Sequence, residues 1–272
     1  MMRVNGEVTD RISALDRGFL YGDGLFETLA MVEGEPLQWS RHFARLERGC
    51  QRLKITPPDG KQLLTELREL CAGKGQAVAK IIVTRGEGGR GYNPVSSASN
   101  WVVQCFPWPD LPVANGEQGV VVRVCELRLA AQPLLAGMKH LNRLESVLAR
   151  AEWRDETIAE GLMRDTLGHY IEGTMSNLFV VKSGQLMTDP LQQCGVAGIM
   201  RERIISLADS LGIHCSQQPI NEQQLEDADE LFICNSIINI WPIRRVIGRG
   251  DYAVGPVTRQ LQRVVKEALK KS

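Results

Sequence analysis

Apolar positions along the chain follow two periods. Residues 2–8 read as a first strand, and Phe26 to Met31 alternates as a second. Glu33-Gly34 then turns the chain into Pro36-Leu-Gln. At Trp39 the period changes. Trp39, Phe43, Leu46, Cys50 and Leu53 recur at steps of three and four, which predicts a helix over 39–53. Asp59 to Ala72 predicts a second helix, ended by Gly73-Lys-Gly75. Val- and Ile-rich strands follow at Ala77 to Arg85 and Asn100 to Phe106. Beyond them the pattern gives a strand at Val120 to Cys125. It then gives a helix over Arg143 to Arg154, with Leu144, Val147, Leu148 and Ala151 on its apolar face. Gly161 to Arg164 pairs with His169 to Glu172 across Thr166-Leu-Gly168, and a buried strand ends at Val181, where Gly184 turns it into Leu186-Met-Thr188. A helix follows Gly195 to Arg201 and runs to Leu211. Strands come at Asp229 to Cys234 and Trp241 to Ile247, and a closing helix at Pro256 to Lys271. Pro107-Trp-Pro-Asp-Leu-Pro-Val-Ala-Asn-Gly116 breaks both periods and reads as a linker. Two domains are therefore expected, 1–110 and 117–272, with the linker at about 107–116.

Composition narrows the class without changing that outline. The 272 residues are 43% apolar and 24% charged, as in ordinary globular proteins. Lys plus Arg and Asp plus Glu are 32 each, so net charge makes no case for nucleic acid or an anionic membrane as partner. No run reaches the ~18 apolar residues of a membrane span. The N-terminal stretch lacks the apolar core of a signal peptide, so a cytoplasmic location is expected. The seven cysteines are scattered without a CxxC pair and read as reduced, buried thiols. The four histidines show no ligand spacing with them, so no metal is expected.

Candidate chemistry gathers around Lys139, in Ala136-Gly-Met-Lys-His-Leu-Asn-Arg-Leu-Glu145. It sits just past a glycine at a strand end, where rigid backbone can aim its amine. Glu172 enters a strand. Gly195-Val-Ala-Gly-Ile-Met-Arg201 opens a helix, whose unpaired N–H groups suit a phosphate. Asn235-Ser236 follows another strand. An amine, a carboxylate and a phosphate seat are the parts that pyridoxal phosphate needs. A lone lysine is far more often a surface residue; its company raises this one. Two glycine-rich stretches admit two readings each. Asp16 to Thr28 is either a surface turn or a loop in which backbone approaches something closely. Arg85-Gly-Glu-Gly-Gly-Arg-Gly-Tyr92 is either a hairpin tip or an anion-binding loop with Arg85 and Arg90. His42 and Arg45 flank the apolar stripe of the first helix, where a solvated face is the ordinary expectation.

Seven stretches carry a resemblance that spans nearly the whole chain. They are Asp16-Arg-Gly with Gly22-Asp-Gly-Leu-Phe-Glu-Thr28, His42-Phe-Ala-Arg-Leu46, Arg85 to Tyr92, Gly137 to Glu145, Glu172-Gly-Thr-Met-Ser-Asn-Leu-Phe179, Gly195 to Arg201, and Cys234-Asn-Ser236. In this order they resemble the fold type IV pyridoxal-phosphate enzymes, the group of branched-chain and D-amino-acid aminotransferases. The resemblance implies an α+β fold with a small α/β sandwich domain and a larger domain with a barrel-like β core and flanking helices. It implies a homodimer with pyridoxal 5'-phosphate in a cleft between the domains. By position, Lys139 would carry the cofactor covalently and Arg45 would bind its phosphate. Glu172 would pair with the pyridine nitrogen, and Val196 would lie against the ring. The N–H groups of Ile199 and Met200 and the Ser236 hydroxyl would complete the phosphate site. Aminotransferases of the family carry a tyrosine five residues past the lysine, where this chain has Leu144. That run and Gly89-Arg-Gly-Tyr92 are of the form found in the family's lyases. The implied activity is cleavage of 4-amino-4-deoxychorismate to 4-aminobenzoate and pyruvate, with Arg85 and Arg90 as candidates for a substrate carboxylate. The alternative is a D-amino-acid or branched-chain aminotransferase on the same scaffold.

Overall fold

The computed structural model describes residues 2–94 and 98–270, and the chain divides into two units. The first takes the chain to Asp110 and adds Met138–Asn142; the second holds Leu111–Gly137 and the chain from Arg143 onward. The whole of 117–272 was expected in one domain, but Met138–Asn142 joins the first unit through backbone hydrogen bonds. Phe26 N–H donates to the Lys139 carbonyl at 2.9 Å and Leu141 N–H to the Gly24 carbonyl at 3.0 Å.

The first unit comprises β1 (Met2–Val4), α1 (Arg17–Tyr21), β2 (Gly24–Val32), β3 (Glu35–Pro36), α2 (Trp39–Leu53), α3 (Gly60–Cys71), β4 (Gln76–Thr84) and β5 (Asn100–Pro107). The strands form one sheet in the order β1-β5-β4-β2-β3, antiparallel throughout. Of the expected first strand only Met2–Val4 form β1 and pair with β5, because Asn5 and Gly6 turn with positive φ and fold Glu7 back onto Val4. Glu33 and Gly34 also have positive φ (50° and 81°), the backbone that a tight hairpin needs. Leu25, Leu29 and Met31 of β2 are buried, as are Leu46 and Cys50 of α2 and Leu63, Leu67 and Leu70 of α3, giving a sandwich of sheet and helices.

The glycine-rich stretch before β2 is a short helix rather than an open loop. Asp16 caps α1, accepting the Gly18 N–H at 2.7 Å. Its other oxygen accepts the Thr84 hydroxyl at 2.7 Å and the Asn100 amide at 2.8 Å, so one carboxylate ties the turn to two strands. A Cβ on Gly18 would lie 2.3 Å from Thr84, so this is the close backbone approach that glycine permits.

The second unit holds α4 (Val113–Glu117), β6 (Val120–Leu129), α5 (Leu144–Arg150), β7 (Ile158–Asp165), β8 (Tyr170–Gly173), β9 (Asn177–Lys182), β10 (Gln185–Thr188), α6 (Ile199–Ser210), β11 (Cys215–Gln217), α7 (Glu222–Glu226), β12 (Glu230–Asn235), β13 (Asn239–Val246), β14 (Gly250–Asp251) and α8 (Pro256–Leu269). The expected linker thus contains α4, and Lys271 of the expected closing helix lies outside the described residues. The sheet runs β11-β10-β9-β12-β13-β6-β7-β8, with β14 on β13. Glu172 of β8 pairs back to Asn177 of β9. That contact closes β9-β12-β13-β6-β7-β8 into the expected barrel-like core, with no open edge among those strands. Leu162, Leu178, Val180, Leu231 and Ile243 belong to one buried cluster. Phe179 and Phe232 stack at 4.9 Å in a second cluster shared with Met200 and Ile204 of α6 and Leu261 of α8.

The helix after Lys139 is shorter than the expected Arg143 to Arg154, and its apolar face is exposed. The helix is only Leu144–Arg150, and Leu144, Val147 and Leu148 are 69%, 60% and 53% exposed. Ala149 is the buried residue of that helix.

Candidate active site

In the first unit Lys139 precedes His140, which makes an isolated antiparallel bridge to Leu25. That register puts Lys139 opposite Phe26, and its Nζ stands 4.4 Å from the centroid of the Phe26 ring. Asn142 Nδ2 donates to the Gly22 carbonyl at 3.0 Å and holds the end of the segment. Backbone pairing before and after Lys139 fixes the direction in which its side chain leaves the chain.

Arg45 is not on a solvated flank, and neither is His42. The two are 8% and 1% exposed, and both turn toward Glu27, which is 1% exposed on the helix-facing side of β2. Arg45 donates from Nε to Glu27 Oε1 at 2.8 Å and from Nη2 to Glu27 Oε2 at 2.6 Å, a two-pronged pair. His42 Nδ1 donates to Glu27 Oε2 at 2.7 Å. Burial by itself would raise the Glu27 carboxyl, but the Arg45 charge and the bonds from His42 and Arg45 bring it down to about 2. Burial lowers His42 despite Glu27, helped by the charges of Arg45 and Lys139, so its ring is neutral and donates one proton. Glu27 is a buried partner of Arg45 and His42 that the sequence reading missed. Its signal was a carboxylate at an inward position of an alternating strand.

Arg85 has a different post from the one expected. It is buried; Nε and Nη2 bind both oxygens of Asp23 at 2.7 and 3.0 Å, while Nη1 and Nη2 donate to the carbonyls of Lys54 (2.9 Å) and Leu53 (2.8 Å). Each guanidinium nitrogen is engaged in fastening the end of β4 to the end of α2, which is a structural pin. Arg90 is exposed in the loop beyond. The loop is moored by Arg17, which donates to the carbonyls of Gly91 (2.9 Å) and Tyr92 (3.3 Å), and the Gly91 N–H goes to the Tyr21 hydroxyl at 3.2 Å.

In the second unit Glu172 ends up beside Val196. Glu172 Oε2 accepts the Val196 N–H at 2.9 Å and the Asn177 amide at 3.3 Å. The same Asn177 amide nitrogen donates to the Val196 carbonyl at 2.8 Å. A carboxylate that is 6% exposed is thus locked between β8, β9 and the turn before α6. Gly137 zips to that turn: its N–H donates to the Gly195 carbonyl at 2.9 Å and its carbonyl accepts the Ala197 N–H at 3.1 Å. Gly198 precedes α6 and makes no side-chain cap bond, so the first N–H groups of the helix, those of Ile199 and Met200 among them, get no side-chain cap. A Cβ on Gly198 would meet Asn177 Oδ1 at 2.1 Å. Arg143, half-buried, is lowered by burial against the opposing charges of Glu172 and Glu145.

Ser236 follows β12 in a turn set by Asn235. The Asn235 carbonyl oxygen of the side chain accepts the Ile237 and Ile238 N–H groups at 2.8 and 2.9 Å, and its amide donates to the Met175 carbonyl at 3.1 Å. Glu160 is a second missed residue. It is 2% exposed and accepts from Gly161 N–H (2.9 Å), Thr174 N–H (3.1 Å), the Thr174 hydroxyl (2.5 Å), Met175 N–H (3.3 Å) and the Ser176 hydroxyl (2.8 Å). It fastens the turn that links Glu172 to Asn177. Nothing in the local pattern of β7 marks it, because apart from the adjacent Gly161 its partners, Thr174, Met175 and Ser176, lie 14 to 16 residues away.

These groups, on an antiparallel sandwich and a six-stranded ring, define a class of protein. The family model described as "Amino-transferase class IV" matches residues 24–246, and the chain belongs to that family. It is 37% identical over 266 residues to the aminodeoxychorismate lyase of Vibrio harveyi, covering 96% of this chain and 98% of that one. The crystal structure of 4-amino-4-deoxychorismate lyase from Pseudomonas aeruginosa is similar at a TM-score of 0.94, with 46% identity and 98% of each chain covered. The branched-chain amino acid aminotransferase of Escherichia coli is similar at a TM-score of 0.88, with 27% identity over 98% of this chain and 94% of that one. The expected fold class, α+β of fold type IV, is the one found.

Proposed function

We propose that this chain is a pyridoxal-phosphate-dependent carbon–oxygen lyase that cleaves 4-amino-4-deoxychorismate to 4-aminobenzoate and pyruvate. One observation carries the reading: identity over nearly the full chain is 46% to the Pseudomonas lyase but 27% to the Escherichia coli aminotransferase. Leu144 supports it, since an aliphatic side chain stands where the aminotransferases of the family place a tyrosine hydroxyl.

The residues present suit the cofactor by their chemistry. Lys139 provides the amine that carries it. Glu172, a buried carboxylate already accepting N–H groups, suits a protonated ring nitrogen. Arg45, the uncapped start of α6 at Ile199 and Met200, and Ser236 suit a phosphate, and Val196 suits the ring face. Bound there, the cofactor supplies an electron sink for charge left on the amine-bearing carbon.

The chain's own work is then proton handling. Lys139 takes the proton from the amine-bearing ring carbon, acting as base. The neighbouring carbon loses its enolpyruvyl oxygen and the ring becomes aromatic. Lys139 returns the proton to the departing enolpyruvyl group, which leaves as pyruvate. Glu172 would pair with the ring nitrogen of the bound cofactor. Arg90 is the remaining candidate for a substrate carboxylate, because Arg85 is spent on Asp23 and two carbonyls. The enzyme acts in the cytoplasm as a homodimer; the exposed Leu144, Val147 and Leu148 offer an apolar face to a second copy.

The test is product analysis with the cofactor added. Incubation with 4-amino-4-deoxychorismate should release 4-aminobenzoate and pyruvate in equal amounts. Rapid amination of keto acids by branched-chain or D-amino acids, with no 4-aminobenzoate formed, would sink the lyase reading in favour of amino transfer.

A further inference from the structure

Cys71 is the last residue of α3, and Cys105 lies on β5. They are 0% and 5% exposed, and their sulfurs stand 2.7 Å apart. That is well inside the ~3.5–4.0 Å at which even unbonded carbon atoms reach contact, and sulfur is the larger atom. Lys74 brings its ammonium to 3.2 Å from Cys105 Sγ. Burial and the neighbouring Cys105 push the Cys71 thiol up to about 12 against the pull of the Lys74 charge, and the Lys74 ammonium stands beside Cys105. Two thiols in contact, one backed by a cation, make a pair built to be joined.

We propose that Cys71 and Cys105 are an oxidisable pair, closed to a disulfide by a hydroperoxide. Cys105 reacts first, because the Lys74 ammonium stabilises the negative charge it carries as it attacks. Its sulfur takes one peroxide oxygen, the O–O bond breaks, and the other oxygen leaves as water after protonation. Cys71 then attacks the Cys105 sulfenic acid, the S–O bond breaks, and a second water leaves with the Cys71 proton. Two thiols and one hydrogen peroxide become one disulfide and two waters. The bond ties the end of α3 to the sheet across 34 positions of sequence, adding to the links that Glu66 makes to Trp101 and Arg68 to Glu35.

The full-length protein, loaded with pyridoxal phosphate, is treated with hydrogen peroxide, unfolded, alkylated and digested with trypsin without reductant. Residues 69–74 and 91–123 are separate tryptic peptides carrying Cys71 and Cys105 respectively. The expected result is one cross-linked species two hydrogens lighter than the pair, abolished by reductant. The oxidised protein should melt about 5–10 °C above the reduced one. With Cys71→Ser, Cys105 should instead accumulate as a sulfenic acid trapped by dimedone. The proposal is overturned if wild-type Cys71 and Cys105 both alkylate fully after half-buried Cys215 has been oxidised. It is equally overturned if Cys105 proceeds to sulfinic acid with no link formed. The wild-type map decides by itself, whether or not the variant folds.

Discussion

Replacing Glu27 by Gln tests the buried Glu27–His42–Arg45 cluster most sharply. The substitution keeps size and shape but leaves the Arg45 guanidinium, 8% exposed, without its carboxylate. The drop of the Glu27 carboxyl from its ordinary 4.5 to about 2 corresponds to about 3 kcal/mol of preference for the ionised form in the folded chain. The cost of breaking a buried pair from one side is of the same size, roughly 3–5 kcal/mol. A carboxyl whose folded value is depressed gives stability that is complete above its unfolded value of 4.5 and is lost as the pH falls toward 2. Urea unfolding of the wild type and of Glu27→Gln, at pH 7 and again near pH 3.5, measures both. The wild type should lead by about 3 kcal/mol at pH 7, and the lead should shrink by roughly 1 kcal/mol near pH 3.5. His42, also depressed in the folded chain, costs both proteins stability as the pH falls below 6.5, so a shrinking lead reports Glu27 rather than His42. A lead under about 0.5 kcal/mol at pH 7, or one that does not change with pH, would refute the assignment of Glu27 as the ionised partner of Arg45.

Three further outcomes follow from the same geometry. Gly198→Ala should lower stability by about 1–3 kcal/mol and loosen cofactor retention on dialysis, since its Cβ would lie 2.1 Å from Asn177 Oδ1. Asn177→Ala should leave the fold intact by circular dichroism. It should weaken pyridoxal-phosphate binding about tenfold by absorbance titration, because Glu172 and the Val196 carbonyl both lose a donor. Arg85→Ala should lower the melting temperature by releasing Asp23, whereas Arg90→Ala should leave melting unchanged and raise KM for 4-amino-4-deoxychorismate about tenfold.

Where local periodicity governed the outcome, the sequence was a good guide. The stripe from Trp39 to Leu53 is α2, and the alternation from Phe26 to Met31 lies inside β2. The apolar residues after Lys139 misled, because Leu144, Val147 and Leu148 face outward; helical spacing reports a face but not what covers it. Arg45 is buried, against its own local pattern, which suggested solvent. The difference lies in Glu27, a partner 18 positions away on another element. Glu160 and Asn177 were invisible for the same reason: their meaning lies in hydrogen bonds that only the closed ring brings together. Arg85 shows the reverse error. Its glycine-rich setting suggested a ligand, but Asp23 and the end of α2 had already taken it.

The central claim is that Lys139 carries the cofactor in a lyase. Borohydride reduction of the loaded enzyme, followed by peptide mapping and by product assay of Lys139→Ala, tests it directly. The account predicts a reduced cofactor fixed on Lys139 alone, with tryptic cleavage blocked at that residue, and no 4-aminobenzoate from the variant. A reduced cofactor on any other lysine, or a variant that still releases 4-aminobenzoate at the wild-type rate, would contradict it.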